Sequence, residues 1–276
     1  MAMLEIRGLG KTYGEGEAAT HAIGDVSFDL GEREFVCVVG PSGCGKTTLL
    51  KCMSGLLAPT RGEVVLRGTR VDGPPEEMAL VFQEYSRSLL PWMSVRGNVV
   101  MPLRHKKLAK AEANRLVEEA VDAVGLTGFI DRYPWQLSGG MQQRVAIARA
   151  LAYQPEILLM DEPFASVDAQ TRGDLEDLIL EVRGHYGMAI LFVTHDIDES
   201  VYLSDRIVVL SPSPTEVREI VDVALPHPRD QVETKELPEF ARQRAHVYRL
   251  IKRPAPDGPA ARVGRGEATA EATRGA

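Results

Sequence analysis

Gly40, Gly43 and Gly45, with Lys46, Thr47 and Thr48 directly behind them, form the run GPSGCGKTT, in which glycine, four residues and Gly-Lys-Thr follow the spacing of a phosphate-binding loop. Glycines at these places let consecutive backbone N–H groups turn inward around a β-phosphate, with Pro41, Ser42 and Cys44 completing the loop. The Lys46 ammonium reaches the β and γ oxygens, and the Thr47 hydroxyl is a ligand for Mg²⁺. The chemistry implied is binding and hydrolysis of Mg²⁺-ATP.

Two carboxylates, Asp161 and Glu162 of ILLMDEP, stand at the carboxyl end of a wholly apolar run, where a parallel sheet gathers its ligands. Asp161 would hold Mg²⁺ through water. Glu162 would act as general base on a water in line with the γ-phosphate. Taken alone, an Asp-Glu pair after a strand also reads as a surface turn. In LSGGMQQR, residues 137–144, Ser138 is placed to cap the apolar run through Val145, Ile147, Ala148 and Leu151, which leaves the Gly139 and Gly140 amides open to an anion. An ordinary capped helix has the same pattern. Because the chain already carries one phosphate loop, a second anion-binding helix start asks for a second phosphate contact. A symmetric dimer supplies it, each copy offering its Ser138 end to the other's γ-phosphate.

The elements that must position these residues follow from periodicity. Residues 4–9, 22–30 and 35–39 are apolar or alternating runs separated by glycine-containing turns and read as strands, the third ending in the phosphate loop. Residues 47–56 read as the following helix, closing near Gly55. Residues 109–124 place Leu116, Val117, Ala120, Val121 and Val124 on one helical face, with Gly125 as the stop. Residues 157–160, 189–193 and 207–210 are short buried-strand runs, with a helix over 171–186 between the first two. Strand, helix, strand implies a parallel sheet covered on both faces.

The 44% apolar and 26% charged content is that of a folded chain, and the net charge of −7 without a basic run argues against nucleic acid as partner. Cys37, Cys44 and Cys52 form no CxxC pair and read as reduced thiols. The opening residues lack the layout of a signal peptide, and no run approaches the roughly 18 apolar residues of a membrane span, which predicts a cytoplasmic protein. Residues 254–276, rich in Pro, Gly and Ala, are expected to be a flexible tail.

In this order, GPSGCGKTT, LSGGMQQR and ILLMDEP resemble the nucleotide-binding subunit of an ABC transporter over about residues 4–225. The resemblance implies an α/β fold: a RecA-like P-loop NTPase core with a mixed or parallel sheet, an N-terminal antiparallel β-subdomain and an inserted α-helical subdomain at about 84–155, all within a nucleotide-binding domain of residues 1–253. It also implies several roles. Tyr13 of KTYG corresponds to the aromatic that stacks on adenine. Gln83 of LVFQE corresponds to the glutamine that touches Mg²⁺ and the attacking water and couples the site to the membrane subunit. Gln142 joins Ser138, Gly139 and Gly140 in contacting nucleotide. Asp168 of ASVDAQTR belongs to the loop that crosses the dimer interface, and His195 of LFVTHD to the γ-phosphate contact. One departure stands out: the family's usual Ser-Ala-Leu-Asp is Ala165, Ser166, Val167, Asp168 here, so the first serine's side-chain contacts are missing.

Within the family, EYSRSLLPWMSVRGNV at 84–99, DRYPWQLSGGMQQR at 131–144 and PFASVDAQTR at 163–172 are similar to importers of nitrate, sulfonate, taurine and bicarbonate. Leu89, Leu90 and Trp92 would then form an exposed apolar contact for the permease, the alternative being that they belong to the subdomain core. The partners implied are a second copy, two membrane permease subunits and, indirectly, an extracytoplasmic solute-binding protein, with the chain at the cytoplasmic face of the cell membrane. The other class, a soluble ABC-type ATPase working on nucleic acid or ribosomes, is expected to carry long coiled coils or a second motif set, and neither is in the sequence.

Overall fold

Alternation of apolar and polar residues over the first thirty positions produces two long antiparallel strands, β1 (Ala2–Tyr13) and β2 (Thr20–Gly31). β3 (Phe35–Val39) is apolar and buried at every position, as a parallel strand covered on both faces must be. It leads through the glycine-rich loop into α1 (Lys46–Met53), then β4 (Arg61–Leu66), β5 (Thr69–Arg70) and β6 (Met78–Val81). Helices follow: α2 (Val95–Val100), α3 (Lys110–Ala123) and α4 (Gly139–Ala152). Strand and helix then alternate through β7 (Ile157–Asp161), α5 (Ala169–Tyr186), β8 (Ala189–Thr194), α6 (Ile197–Leu203), β9 (Arg206–Leu210) and β10 (Thr215–Asp222), and the described residues end with α7 (Glu233–Glu236) and α8 (Pro238–Lys252). The structure, a computed structural model, describes residues 2–84 and 88–252; the tail expected at 254–276 lies outside them.

The described strands form one sheet in the order β5-β4-β1-β2-β10-β9-β3-β8-β7-β6. Its first four strands are antiparallel, while β9, β3, β8, β7 and β6 run parallel. β10 joins the two parts, pairing antiparallel with β9 and parallel with β2. This mixed α/β sheet is the expected fold. Two cores lie on its faces. Phe35, Cys37 and Val39 of β3 point into one with most of the helices, and Val36 and Val38 point into the other with Leu49, Leu50 and Met53 of α1, as the two-residue period of a strand requires.

Most element limits move by a residue or two from expectation. The helix expected over 47–56 starts at Lys46 and ends at Met53, because Gly55 turns left-handed (φ +72°) against the backbone of Gly73 and Pro74. α3 ends before Gly125 (φ +69°), as anticipated. A larger correction concerns Leu89. It is 2% exposed and packs in the same core as Val95 and Val99, whereas Leu90 is half-buried and Trp92, at 70%, stands clear. The cause is Asn98, fully buried. Its Oδ1 accepts from Leu90 N (2.8 Å), and its Nδ2 donates to the carbonyls of Leu90, Met93 and Ser94, each at 3.1 Å. One amide thus folds residues 90–94 into a turn that drives Leu89 inward.

Asn98→Ala would take the partner from the Leu90 N–H and the Met93 carbonyl, while the carbonyls of Leu90 and Ser94 keep Met93 N and Asn98 N, at a cost of roughly 2–3 kcal/mol. Urea unfolding is expected to show that loss, together with faster proteolysis within residues 88–95. A variant as stable as wild type would mean that the turn stands without the amide.

Candidate functional site

The phosphate loop joins β3 to α1, with Gly45 left-handed (φ +100°) at the helix entry, where a Cβ would stand 3.0 Å from the Ala22 carbonyl. Lys46 is 6% exposed. Its Nζ donates to the carbonyls of Gly40 (3.1 Å) and Pro41 (3.2 Å) and lies 3.6 Å from Glu162 Oε1. The loop is fastened from behind by Thr215, whose buried hydroxyl contacts Cys44 O and donates to Ala22 O (3.1 Å). Pinning carbonyls this way turns the opposite face of the peptide groups, the N–H face, toward a ligand. Tyr13, 43% exposed, stands at the edge of the loop with its hydroxyl 3.3 Å from Thr48 Oγ1.

β7 delivers the carboxylates. Asp161, its last residue, is 4% exposed, and its Oδ1 has no hydrogen-bond partner among the described residues. Burial pushes its carboxyl up, opposed in part by a hydrogen bond from the Thr47 side chain. Glu162 takes the left-handed conformation (φ +42°), strained for a side chain with a Cβ, and is held by its N–H on the Val193 carbonyl (2.8 Å). This turn breaks strand alternation and aims its carboxylate along the sheet end. Glu162 Oε2 is met there by His195 Nδ1 (2.9 Å) and accepts from Gln83 Nε2 (3.4 Å). Lys46, Gln83 and His195, far apart in the sequence, therefore converge on the one carboxylate of Glu162 at the loop, beside Thr47 and Asp161.

A second group forms around the starts of α4 and α5. Ser138 caps α4, its Oγ accepting from Met141 N (3.3 Å), so the first-turn amides of Gly139 and Gly140 have no carbonyl partner within the helix. Gln142 Nε2 donates to the carbonyls of Pro134 (2.9 Å) and Leu137 (3.3 Å), so this expected nucleotide contact braces the preceding turn. Asp168 caps α5, accepting from Thr171 N (3.0 Å) and Thr171 Oγ1 (2.7 Å), which holds its carboxyl below the usual range. The two starts touch: a Cβ on Gly140 would stand 2.4 Å from Thr171 Cγ2.

Sequence reasoning missed Thr215, Asn98 and the residues behind His195. Glu199 is 5% exposed, accepts from Thr194 Oγ1 (2.6 Å) and lies 3.6 Å from Arg172 Nε. Burial pushes its carboxyl up to about 7. The neighbouring Asp196 and Glu176 add to the rise, while the Thr194 hydrogen bond and Arg172 oppose it. The carboxylate at the fourth position after His195 in THDIDES was visible, but nothing in the sequence said which way it faced.

A phosphate cradle between strand and helix, facing the acidic end of a neighbouring parallel strand, defines a nucleotide-hydrolysing P-loop protein. The family model described as ABC transporter matches residues 23–165. An uncharacterized ABC transporter ATP-binding protein of Methanocaldococcus jannaschii is 45% identical over 90% of this chain and 91% of its own length. An aliphatic sulfonates import ATP-binding protein of Bacillus licheniformis is 43% identical over 83% and 88%. Other relatives, at 40–42% identity, are named for nitrate import, bicarbonate transport and taurine import. Among solved structures, a dimeric bacterial ABC transporter cassette matches with a TM-score of 0.71 and 32% identity, covering 80% of this chain and 99% of that one. The chain belongs to the ABC transporter family. It is an ATP-binding, ATP-hydrolysing transport ATPase, and no helix among the described residues is long and apolar enough to cross a membrane.

Glu199 gives this site a pH signature. Its folded value of about 7 exceeds the 4.5 of a free glutamate, so the folded state holds the proton more tightly, and the stability so conferred is lost as pH rises from about 4.5 through 7. Relative to wild type, Glu199→Gln is expected to gain roughly 2–3 kcal/mol of unfolding free energy between pH 5 and pH 8. Urea melts at the two pH values check this; a difference that does not change with pH would place the charge of Glu199 in a solvated setting.

Proposed function

We propose that this chain energises an ABC importer for a small oxyanion, such as a sulfonate, taurine, nitrate or bicarbonate. The observation that carries the site reading is the convergence of Lys46, Gln83 and His195 on the left-handed Glu162 at the phosphate loop. In this reading the residues 40–48 wrap the phosphates of ATP, Lys46 meets the β and γ oxygens, and Tyr13 stacks on adenine. Glu162 takes a proton from the attacking water, which Gln83 orients, and His195 contacts the γ-phosphate. Ser138, Gly139, Gly140 and Gln142 close on the nucleotide held by a second copy, and Asp168 lies at that interface.

The donor set fits Mg²⁺. Asp161 Oδ1 is buried without a partner among the described residues, the Thr47 hydroxyl lies beside it, and Gln83 is near. A cation there would be held by one carboxylate, one hydroxyl and the phosphates themselves. Bound there, the ion neutralises charge on the β- and γ-phosphate oxygens.

Two copies close head to tail around two ATP molecules and reopen after hydrolysis, driving a pair of permease subunits between inward- and outward-facing states. The family relatives named for sulfonate, taurine and nitrate import and for bicarbonate transport support the oxyanion class, and the net charge of −7 argues against nucleic acid. The exposed Trp92, beside the half-buried Leu90, is the apolar feature offered to a permease, and the chain works as a peripheral subunit on the cytoplasmic face of the membrane, served by an extracytoplasmic binding protein.

Glu162→Gln keeps the shape of the side chain and removes the base, so ATP turnover should fall at least about 100-fold while a nucleotide-bound dimer accumulates in size-exclusion chromatography. Full turnover in this variant removes Glu162 from the role. For the solute, a deletion strain grown on taurine, an alkanesulfonate or nitrate as single sulfur or nitrogen source should fail on one of them. Normal growth on all, with no polytopic protein recovered on affinity purification from membranes, points instead to a soluble ATPase.

A further inference from the structure

We propose that Arg172 is a positioning residue that links the α4 start at residues 138–140, and the loop ending at Asp168, to His195. The inference rests on the roles proposed above for His195 and Glu162.

Arg172 lies in the first turn of α5, next to Thr171, the residue against which Gly140 is packed too closely to admit a Cβ. Its guanidinium makes two hydrogen bonds and one ion-pair contact. NH2 donates to the Val167 carbonyl (3.4 Å), NH1 donates to Asp196 Oδ2 (3.2 Å), and Nε stands 3.6 Å from Glu199 Oε1. Asp196 directly follows His195 and is itself fixed: its N–H donates to Thr194 Oγ1 (2.9 Å), and its Oδ1 caps α6 by accepting from Asp198 N (2.8 Å) and Glu199 N (3.2 Å). Glu162, Ala165, Arg172, Thr194 and His195 face a common cavity of about 20 Å³, so the strut lies directly behind the proposed reacting groups.

The planar fork donates in fixed directions to Val167 O and Asp196 Oδ2 while its Nε edge faces Glu199 at ion-pair distance, a set of directions that the freely rotating ammonium of a lysine does not fix. A displacement of the α4 start therefore pushes Thr171, rotates the first turn of α5, and through Arg172 shifts Asp196 and the imidazole that stands 2.9 Å from Glu162 Oε2. In the dimer reading, residues 138–140 touch the nucleotide of the second copy, so this strut reports that copy's occupancy to the chain's own site.

The test compares Glu199→Gln with Arg172→Met/Glu199→Gln, because the glutamine avoids leaving a buried carboxylate unpaired when the arginine is removed. The double variant should hydrolyse ATP at least about tenfold more slowly than the single, with KM for ATP within about twofold and an unchanged melting midpoint. Arg172→Lys, which keeps the charge and loses the fork, should also lose kcat without a change in KM. Equal kcat in single and double variants, or kcat, KM and melting midpoint moving together, overturns the proposal. His195→Ala separates the failures: if it retains wild-type turnover, the site reading falls and this inference with it, whereas if it loses turnover while the double variant keeps it, only the strut is wrong.

Discussion

A lysine ammonium almost wholly removed from water must find acceptors, and the whole site is arranged around that demand. Lys46 meets it with two carbonyls of its own loop and, across the sheet end, the carboxylate of Glu162. Those carbonyls are drawn toward the ammonium, and Thr215 draws a third, that of Cys44, from behind. The loop keeps its cradle shape because its acceptors are engaged, which leaves donors and positive potential for a phosphate. The same charge compensates Glu162, which takes a strained backbone conformation to stay within reach.

Parallel pairing places the other groups. β3 and β7 both flank β8, so the phosphate loop leaving β3, the acidic end of β7 and His195 just past β8 come out at one edge of the sheet. Gln83 follows β6, which pairs with β7. The phosphate loop, the two carboxylates and His195 thus follow or end strands buried at every position, while Gln83 follows the half-buried edge strand β6, and the rigidity of the packed strands sets their separations. The helix starts of α4 and α5 form a second, touching pair, each capped by its own side chain.

Much of this was legible in the residues. The phosphate loop, the apolar strands and the Asp161-Glu162 pair are local patterns, and local patterns survive as written: β3, β7 and β8 fall within a residue of their expected limits, and Ser138 caps α4 as expected. Gln83, His195 and Asp168 were placed by resemblance, because a single polar residue after a strand carries no local signal. Leu89 was misjudged for a different reason. Leu89, Leu90 and Trp92 stand together in sequence, and only the buried Asn98 amide decides that the first turns inward and the third does not.

By itself the sequence determined the chemistry available: a loop for phosphates, two carboxylates at a dry strand end, a capped helix for an anion, and the alternation of strand and helix that fixes a parallel sheet. The tertiary structure alone decided which distant residues serve that chemistry. Thr215 fastens a loop 171 residues away, and Arg172, beside the Thr171 that meets Gly140, bonds the residue after His195. Such contacts depend on strand order and on the few ångströms between neighbouring elements. Periodicity records which face of an element is buried, and it holds no information about what that face will meet.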